Sequence, residues 1–333
     1  MSSGSLTPLG FLSSAGIYGS SSATGVSADG TTVSGDSTYD ANGDFEAFEW
    51  KDGTLTGLGF LGSPGIFPSE SYAMGISADG TTVIGYSTYA DLNGAYEAFD
   101  WSGGNLTGLG FLDPSDAFRS STAVAVSADA ASIAGYGTSD ASHDTEAILW
   151  NGGVPTGLGF LHLTTGHGFS IANGISADGT TVIGVSGDDD AGHQEAFRWN
   201  SDTMTGLGFL DSTDDDRSST PQAVSADGSV VVGASSYNDI GASEAFRWTD
   251  ATGMKSISDL LIAGGVDMSG WFLDDATGVS ASGATVVGYG TDPSSHEQAW
   301  IARLGDEPGL LLPTPLPVPS LPSARCRGRS PTG

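Results

Sequence analysis

One phrase of eleven residues returns six times along this chain. It reads GVSADGTTVSG at 25–35 and GISADGTTVIG at both 75–85 and 174–184. Looser copies are AVSADAASIAG at 125–135, AVSADGSVVVG at 223–233 and GVSASGATVVG at 278–288. Asp29, Asp79, Asp129, Asp178 and Asp227 mark the phrase at intervals of 50, 50, 49 and 49 residues, and Ser282 takes the place 55 residues further on. A fixed period of this size means a small unit that cannot bury its apolar surface alone and stacks on copies of itself. Residues 1–304 therefore read as one repeat domain, and 305–333 as a proline-rich tail expected to be disordered.

Four short segments recur within a unit, seen first at 23–27, 31–38, 46–50 and 55–61. They are rich in Val, Ile, Thr, Phe and Trp and bounded by Gly, Asp, Asn and Ser, the pattern of strands. The phrase SADGTT forms a tight turn between the first two strands, with Asp and Gly supplying the positive φ. WKDGT, WSGGN and WNGGV turn the third into the fourth. Each unit is thus a four-stranded antiparallel meander. Val83 and Gly85 face one side, Ile84 and Tyr86 the other, so both faces are apolar. Such a sheet must lie between two others, and radial stacking into a β-propeller does this.

Counting strands gives six blades. The sixth unit has segments at 277–280, 284–290 and 298–303 but no fourth strand before the prolines. LTPLGFL, residues 6–12, matches LTGLGFL, residues 55–61, in six of seven places. The expectation is an all-β, six-bladed propeller closed by this N-terminal strand, which completes the last blade. Trp50, Trp101, Trp150, Trp199 and Trp248, with Phe48, Phe99, Phe197 and Phe246 two places earlier, read as blade-to-blade packing; Trp300 takes the Phe place in the sixth unit.

Acids outnumber bases 40 to 10, for a formal charge of −30. That surface repels phosphate backbones and anionic lipid, which argues against nucleic-acid partners. No apolar run approaches the length of a membrane span, so no membrane insertion is expected. Cys326 is the only cysteine, which excludes an internal disulfide. The N-terminus shows no basic region of a signal peptide, the first Lys or Arg being Lys51. A monomer is expected.

Together, LGFL, GISADGTTVIGYST, EAFDW and LTGLGFL resemble the HAF repeats of bacterial extracellular proteins. Those carry Gly-x-x-x-Gly-x-x-Val-x-Gly, then His-Ala-Phe with a Trp close behind, then Leu-Gly-x-Leu. Glu replaces the His here, in Glu46-Ala47-Phe48, Glu97-Ala98-Phe99, Glu195-Ala196-Phe197 and Glu244-Ala245-Phe246. The resemblance covers residues 5–304. It implies a propeller-like fold and an extracellular or cell-surface location, and it implies no catalytic residues. The tail segment PTPLPVPSLPS, residues 313–323, resembles the proline-rich opening of PEP-CTERM or VPLPA sorting signals. Arg325, Arg327 and Arg329 follow it without the apolar helix of such signals.

In a meander blade the turns between strands two and three, and the connections to the next blade, share one face. These loops vary from unit to unit, and function concentrates on variable loops held by a rigid scaffold. Two features gather there. One is a ring residue in most connections: Tyr18, Phe67, Phe118, Phe169 and Trp271, with Arg217 in the fifth unit beside Asp214, Asp215 and Asp216. The other is acid: Asp40, Asn42 and Asp44 have the alternate spacing of calcium-loop oxygens, and Asp188, Asp189 and Asp190 are a denser group. The leading reading is a non-catalytic binding or scaffold module that takes a glycan or another cell-surface polymer on the loop face, with calcium as a candidate ion. The alternatives are a polysaccharide-acting hydrolase or lyase using acids near Asp188 and Asp214, or a structural surface protein. No HExxH or Gly-x-Ser-x-Gly motif occurs, and GLGFLG at 57–62 is a copy of the repeat rather than a dinucleotide fingerprint.

Overall fold

The first repeat folds as the alternation dictates. β1 (Ser21–Val26), β2 (Thr32–Thr38), β3 (Phe45–Lys51) and β4 (Thr54–Gly57) form an antiparallel sheet in sequence order. The SADG turn joins β1 to β2. Asp29 Oδ1 accepts from Ser27 Oγ at 2.7 Å and Thr31 N at 3.0 Å, while Thr32 N donates to Ser27 Oγ at 3.0 Å. Asp52 (φ 52°) and Gly53 (φ 82°) both adopt the left-handed conformation that a two-residue hairpin requires.

The computed structural model describes residue 4 and residues 6–13, 19–62, 69–88, 95–139, 144–161, 168–188, 193–211, 217–237 and 242–305. The same meander recurs at 71–108, 121–157, 168–206 and 219–256, and a three-stranded version occupies 272–303. The strand-one copies touch one another from blade to blade, whereas β4 makes its main contacts within its own sheet, so strand one is innermost. Each inner strand skips one residue in its pairing, at Thr24, Met74, Val124, Asn173, Gln222 and Thr277, and the last has a second such shift at Asp274. The bulge bends and twists the strand.

Alternating residues divide between the two neighbours, as the sequence predicts. Val83 and Phe99 pack with Ala47 and Leu58 of blade one. Ile84 and Ala98 pack with Ala123, Ile133, Ile148 and Trp150 of blade three. Each buried ring contributes roughly 1.5–3 kcal/mol. The glycine of the repeated phrase is the seat for the ring of strand three. A Cβ on Gly85 would lie 3.0 Å from Phe99 Cζ and 1.9 Å from the Tyr72 carbonyl oxygen, and Gly35, Gly184 and Gly233 meet Phe48, Phe197 and Phe246 alike.

Polar locks fasten the seams. Ser71 Oγ accepts from Ala47 N at 2.9 Å and donates to Gly59 O at 2.8 Å, so a serine of one blade is set between two backbone groups of the blade before. Ser121, Ser170 and Ser219 repeat both bonds with Ala98 and Gly110, Ala147 and Gly159, and Ala196 and Gly208. On the opposite face the SADG turns hold hands, with Ala28 N donating to Ala78 O, Ala128 N to Ala177 O, Asp178 N to Ala226 O and Ala226 N to Ala281 O.

Three sequence expectations change. Strand four ends at Gly57 rather than residue 61, because Gly59 takes φ 85° and turns the chain out of the sheet. Leu58 is buried, Gly59 N donates to Glu46 Oε1 at 2.8 Å, and Leu61 N reaches Ser87 Oγ of blade two at 3.2 Å. LGFL is thus a strap between blades. In the fifth repeat the strap becomes helix α1 (Ile257–Ala263), capped by Ser256, whose Oγ accepts from Asp259 N at 3.2 Å. Finally, residues 6–12 carry no strand: Leu6 is 95% exposed, and Leu12 N reaches blade one at Ser37 Oγ, 3.1 Å away.

Carboxylates serve the scaffold in two opposite ways. The Asp29 carboxyl is held down to about 2 by the Thr31 N–H and the Ser27 and Thr31 hydroxyls, and Asp227 to about 2 by the Ser229 hydroxyl and N–H. Asp79 and Asp129 are lowered by equivalent donors. Burial pushes Glu46 and Glu97 up, against the N–H groups of Gly59 and Gly110.

Two outcomes follow from this packing. Gly85→Ala loses at least about 1–3 kcal/mol in urea unfolding, because the backbone of strand one must shift. The lowered aspartates contribute stability that is present above their ordinary 3.8 and lost as pH falls towards about 2. The raised glutamates contribute stability that is complete below their ordinary 4.5 and lost as pH rises through their folded value. Relief of the −30 charge on acidification acts in the same direction as the glutamates. Thermal melts across pH are therefore expected to peak near pH 4, between those two ordinary values, rather than at 7.

Candidate functional site

The loop face is built from the far ends of strands two and three and from the connections between blades. On blade two it carries a row of tyrosines. Tyr72 and Tyr86 are cross-strand partners on the side of the sheet that faces blade three. Their rings stack at 5.2 Å with an interplanar angle of 26°. Tyr96, at the start of strand three, meets Tyr86 edge-on at 5.3 Å and is 37% exposed. Phe45 of blade one extends the row, 5.8 Å from Tyr72. Alternation explains the set. The residue after the seat glycine points towards the next blade, and near the loop end that seam opens and leaves the rings half-covered.

Carboxylates border the rings. Burial, then the Glu70 carboxylate, which is hydrogen-bonded to the phenol, push the Tyr72 hydroxyl well above its ordinary value. Tyr86 is raised chiefly by burial and by the neighbouring Tyr96 and Tyr136 hydroxyls, with Asp36 adding to it. Asp36 is itself raised by burial. The patch therefore combines flat apolar faces with hydrogen-bond acceptors, the pairing that suits a ligand carrying both C–H faces and hydroxyl donors.

The residues expected from sequence are distributed differently. Tyr18 and Phe67 lie outside the described residues, as do Asp189, Asp190 and the 214–216 acids. Asp188 ends the second strand of blade four. Phe118 is 65% exposed on the connection before blade three, its N–H donating to Asp116 Oδ1 at 2.9 Å. Phe169 sits inside the inner strand of blade four and covers Gly187. Trp271 is half-buried against the cluster of Ile257, Leu273 and Val286. Arg217 lies over the Phe209 ring, 5.5 Å from its centroid, as Arg119 lies over Phe111 at 5.2 Å. The strap phenylalanine thus gains a cation–π partner from the chain entering the next blade.

Asp40 organises its own loop. Its Oδ1 accepts from the N–H groups of Asn42, Gly43 and Asp44 at 3.0, 3.0 and 3.1 Å. Burial opposes ionisation, but these donors outweigh it and lower the Asp40 carboxyl; Asp44 is raised by burial and by Asp40. Among the described residues no group of three or more His, Cys, Asp or Glu side chains is placed to hold a metal. Among them, too, no helix is long and apolar enough to cross a membrane.

No family model matches the chain, and no curated protein matches it either. Solved structures do match. The chain is similar to a prolyl endopeptidase, with 12% identity and a TM-score of 0.55 over 86% of this chain and 41% of that one. It is similar to prolyl oligopeptidase B from Galerina marginata, with 10% identity and a TM-score of 0.53 over 86% and 42%. The β-propeller domain of the Trilobed protease from Pyrococcus furiosus, described as having an open velcro topology, matches with 11% identity and a TM-score of 0.50 over 86% and 81%. The chain spans less than half the length of the two peptidases. At these identities the likeness concerns the fold alone, and with the radial stacking of meanders it identifies a β-propeller scaffold.

Proposed function

We propose that this chain is an exported, non-catalytic propeller of the HAF-repeat kind that holds a glycan or similar hydroxyl-rich cell-surface polymer on its loop face. On closure of its six blades into one ring, residues 6–12, which carry no strand in the open arrangement described above, would supply the fourth strand of the last blade. One observation carries the binding reading. The turns of the SADG face are tied to one another, whereas the loop face presents Tyr72, Tyr86 and Tyr96 beside the carboxylates of Asp36 and Glu70. Sugar rings stack on such faces through their C–H groups and donate hydroxyls to such carboxylates. The acidic surface favours neutral or cationic polymers over polyanions.

A glycan array and calorimetry with any hit test this reading. Tyr96→Ser, at a half-exposed ring, is expected to weaken binding by tenfold or more while the melting temperature changes little. Trp271→Ala is expected to retain binding at its surviving stability. An array without signal for the wild type, or a Tyr96→Ser variant that binds as well as wild type, removes the glycan reading. Release of new reducing ends from a bound polysaccharide would instead favour the hydrolase.

A further inference from the structure

Five repeats serve as internal standards for the sixth. The alanine three places before the Trp of strand three is fully buried in all of them: Ala47, Ala98, Ala147, Ala196 and Ala245 are each 0% exposed. Its counterpart Ala299 is exposed. Ile84, Ala134, Ile183 and Val232 are also fully buried, whereas Val287 at the same place is 42% exposed. On blade one the deficit lies on the opposite face. Ser21 and Ala23 are exposed where Ser71 and Ala73 are covered. Blade six thus lacks a following neighbour, and blade one lacks a preceding one.

The two half-seams carry the same residues in the same register as the halves of a formed seam. Ser21 pairs with Ser37 as the lock serine Ser71 pairs with Ser87. Ala299 pairs with Tyr289 as Ala47 pairs with Asp36. Gly10 stands in a Leu-Gly-Phe-Leu strap and takes φ 87°, beside 85°, 76°, 81° and 80° at Gly59, Gly110, Gly159 and Gly208. The far end of this strap is already engaged. Leu12 N donates to Ser37 Oγ, as Leu61, Leu161 and Leu210 do to Ser87, Ser186 and Ser235.

The one sequence departure also fits. Pro8 stands where Gly57, Gly108, Gly157 and Gly206 stand. A Cβ at those glycines would come within 2.2–2.3 Å of Oε1 on Glu46, Glu97, Glu146 and Glu195. Blade six has Gln298 at the glutamate place, and its Nε2 is turned away to Asp292 Oδ2, at 2.7 Å. Room for a proline ring is therefore left where a proline occurs. Leu58 N donates to Ala47 O, so by antiparallel alternation the N–H of residue 57 points away from strand three. A proline there forfeits no ladder bond.

We infer that the open face of blade six is the docking surface for blade one and the N-terminal strap of the same chain, locked by Ser21 Oγ set between the Ala299 N–H and the Gly10 carbonyl. This rests on the closed-ring reading above and adds the lock that holds it. Two unlike faces that fit each other close a ring within one chain or polymerise between chains. The tether favours the intramolecular contact through its effective concentration.

The test uses the full chain with Cys326→Ser. Leu6 and Ala302 correspond to the Leu55 and Trp50 pair of blade one. Leu6→Cys with Ala302→Cys is expected to form an intrachain disulfide in a monomer, read by non-reducing electrophoresis and mass. Separately, Ser21→Ala is expected to lower the melting temperature as much as Ser121→Ala, whose lock is described above, by roughly 2–4 °C. Absence of the disulfide overturns both the closure and the lock. A ladder of disulfide-linked multimers assigns the face to a second copy and overturns the intramolecular seam. A monomeric disulfide with a silent Ser21→Ala overturns the lock alone and leaves the shared blade standing.

Discussion

Every sheet in this molecule is apolar on both sides, and each survives in water only because a neighbour covers it. That single requirement sets the rest. The seat glycines exist because an aromatic ring must lie flat on strand two while strand one bulges close by, with Gly85 under Phe99 as the clearest case. The inner strands bulge at Met74 and its equivalents as they pass from one pairing register to the next. The lock serines exist because close contact between sheets buries backbone N–H and carbonyl groups that need partners. Ser71 satisfies one of each with a single hydroxyl.

The seam between blades five and six puts apolar side chains where the other seams have the serine lock. Ile257, the first residue of α1, takes the place of the buried strap leucine, and Leu273 stands where the lock serines stand. Both are nearly or fully buried in one cluster with Val230, Val232 and Ala276. Without the hydroxyl, the strap carbonyl it would serve needs another donor, because a buried polar group left unpaired is costly. The change therefore requires a different strap, and the helix supplies it by bonding its own backbone.

Much of the scaffold was legible because it depends on local chemistry repeated many times. Asp29 and Gly30 announce a turn, and the alternation in TVIGYS assigns Val83 and Ile84 to opposite faces. What escaped depends on contacts between repeats. LGFL reads as strand because Leu and Phe favour extension, yet Gly59 at φ 85° takes it out of the sheet. Helix α1 has only seven residues, too few for a period to show. The tyrosine row was missed because Tyr72, Tyr86 and Tyr96 lie within strand segments rather than in the variable connections. The signal was present: GYST at 85–88 places a ring after the seat glycine at the loop end of its blade.

The strap gives the chain a unit of inheritance that differs from its unit of shape. A blade is a sheet, but each lock draws its serine from one sheet and its glycine carbonyl from the segment leaving the sheet before. Copying about fifty residues from any starting point within the first four repeats therefore inserts one serine, one alanine and one strap together, and each new junction finds its full set of partners. Shifting the copied boundary cuts a blade in two without breaking that arithmetic. Such an array can change its number of repeats by recombination while conserving the chemistry of its serine-locked joints.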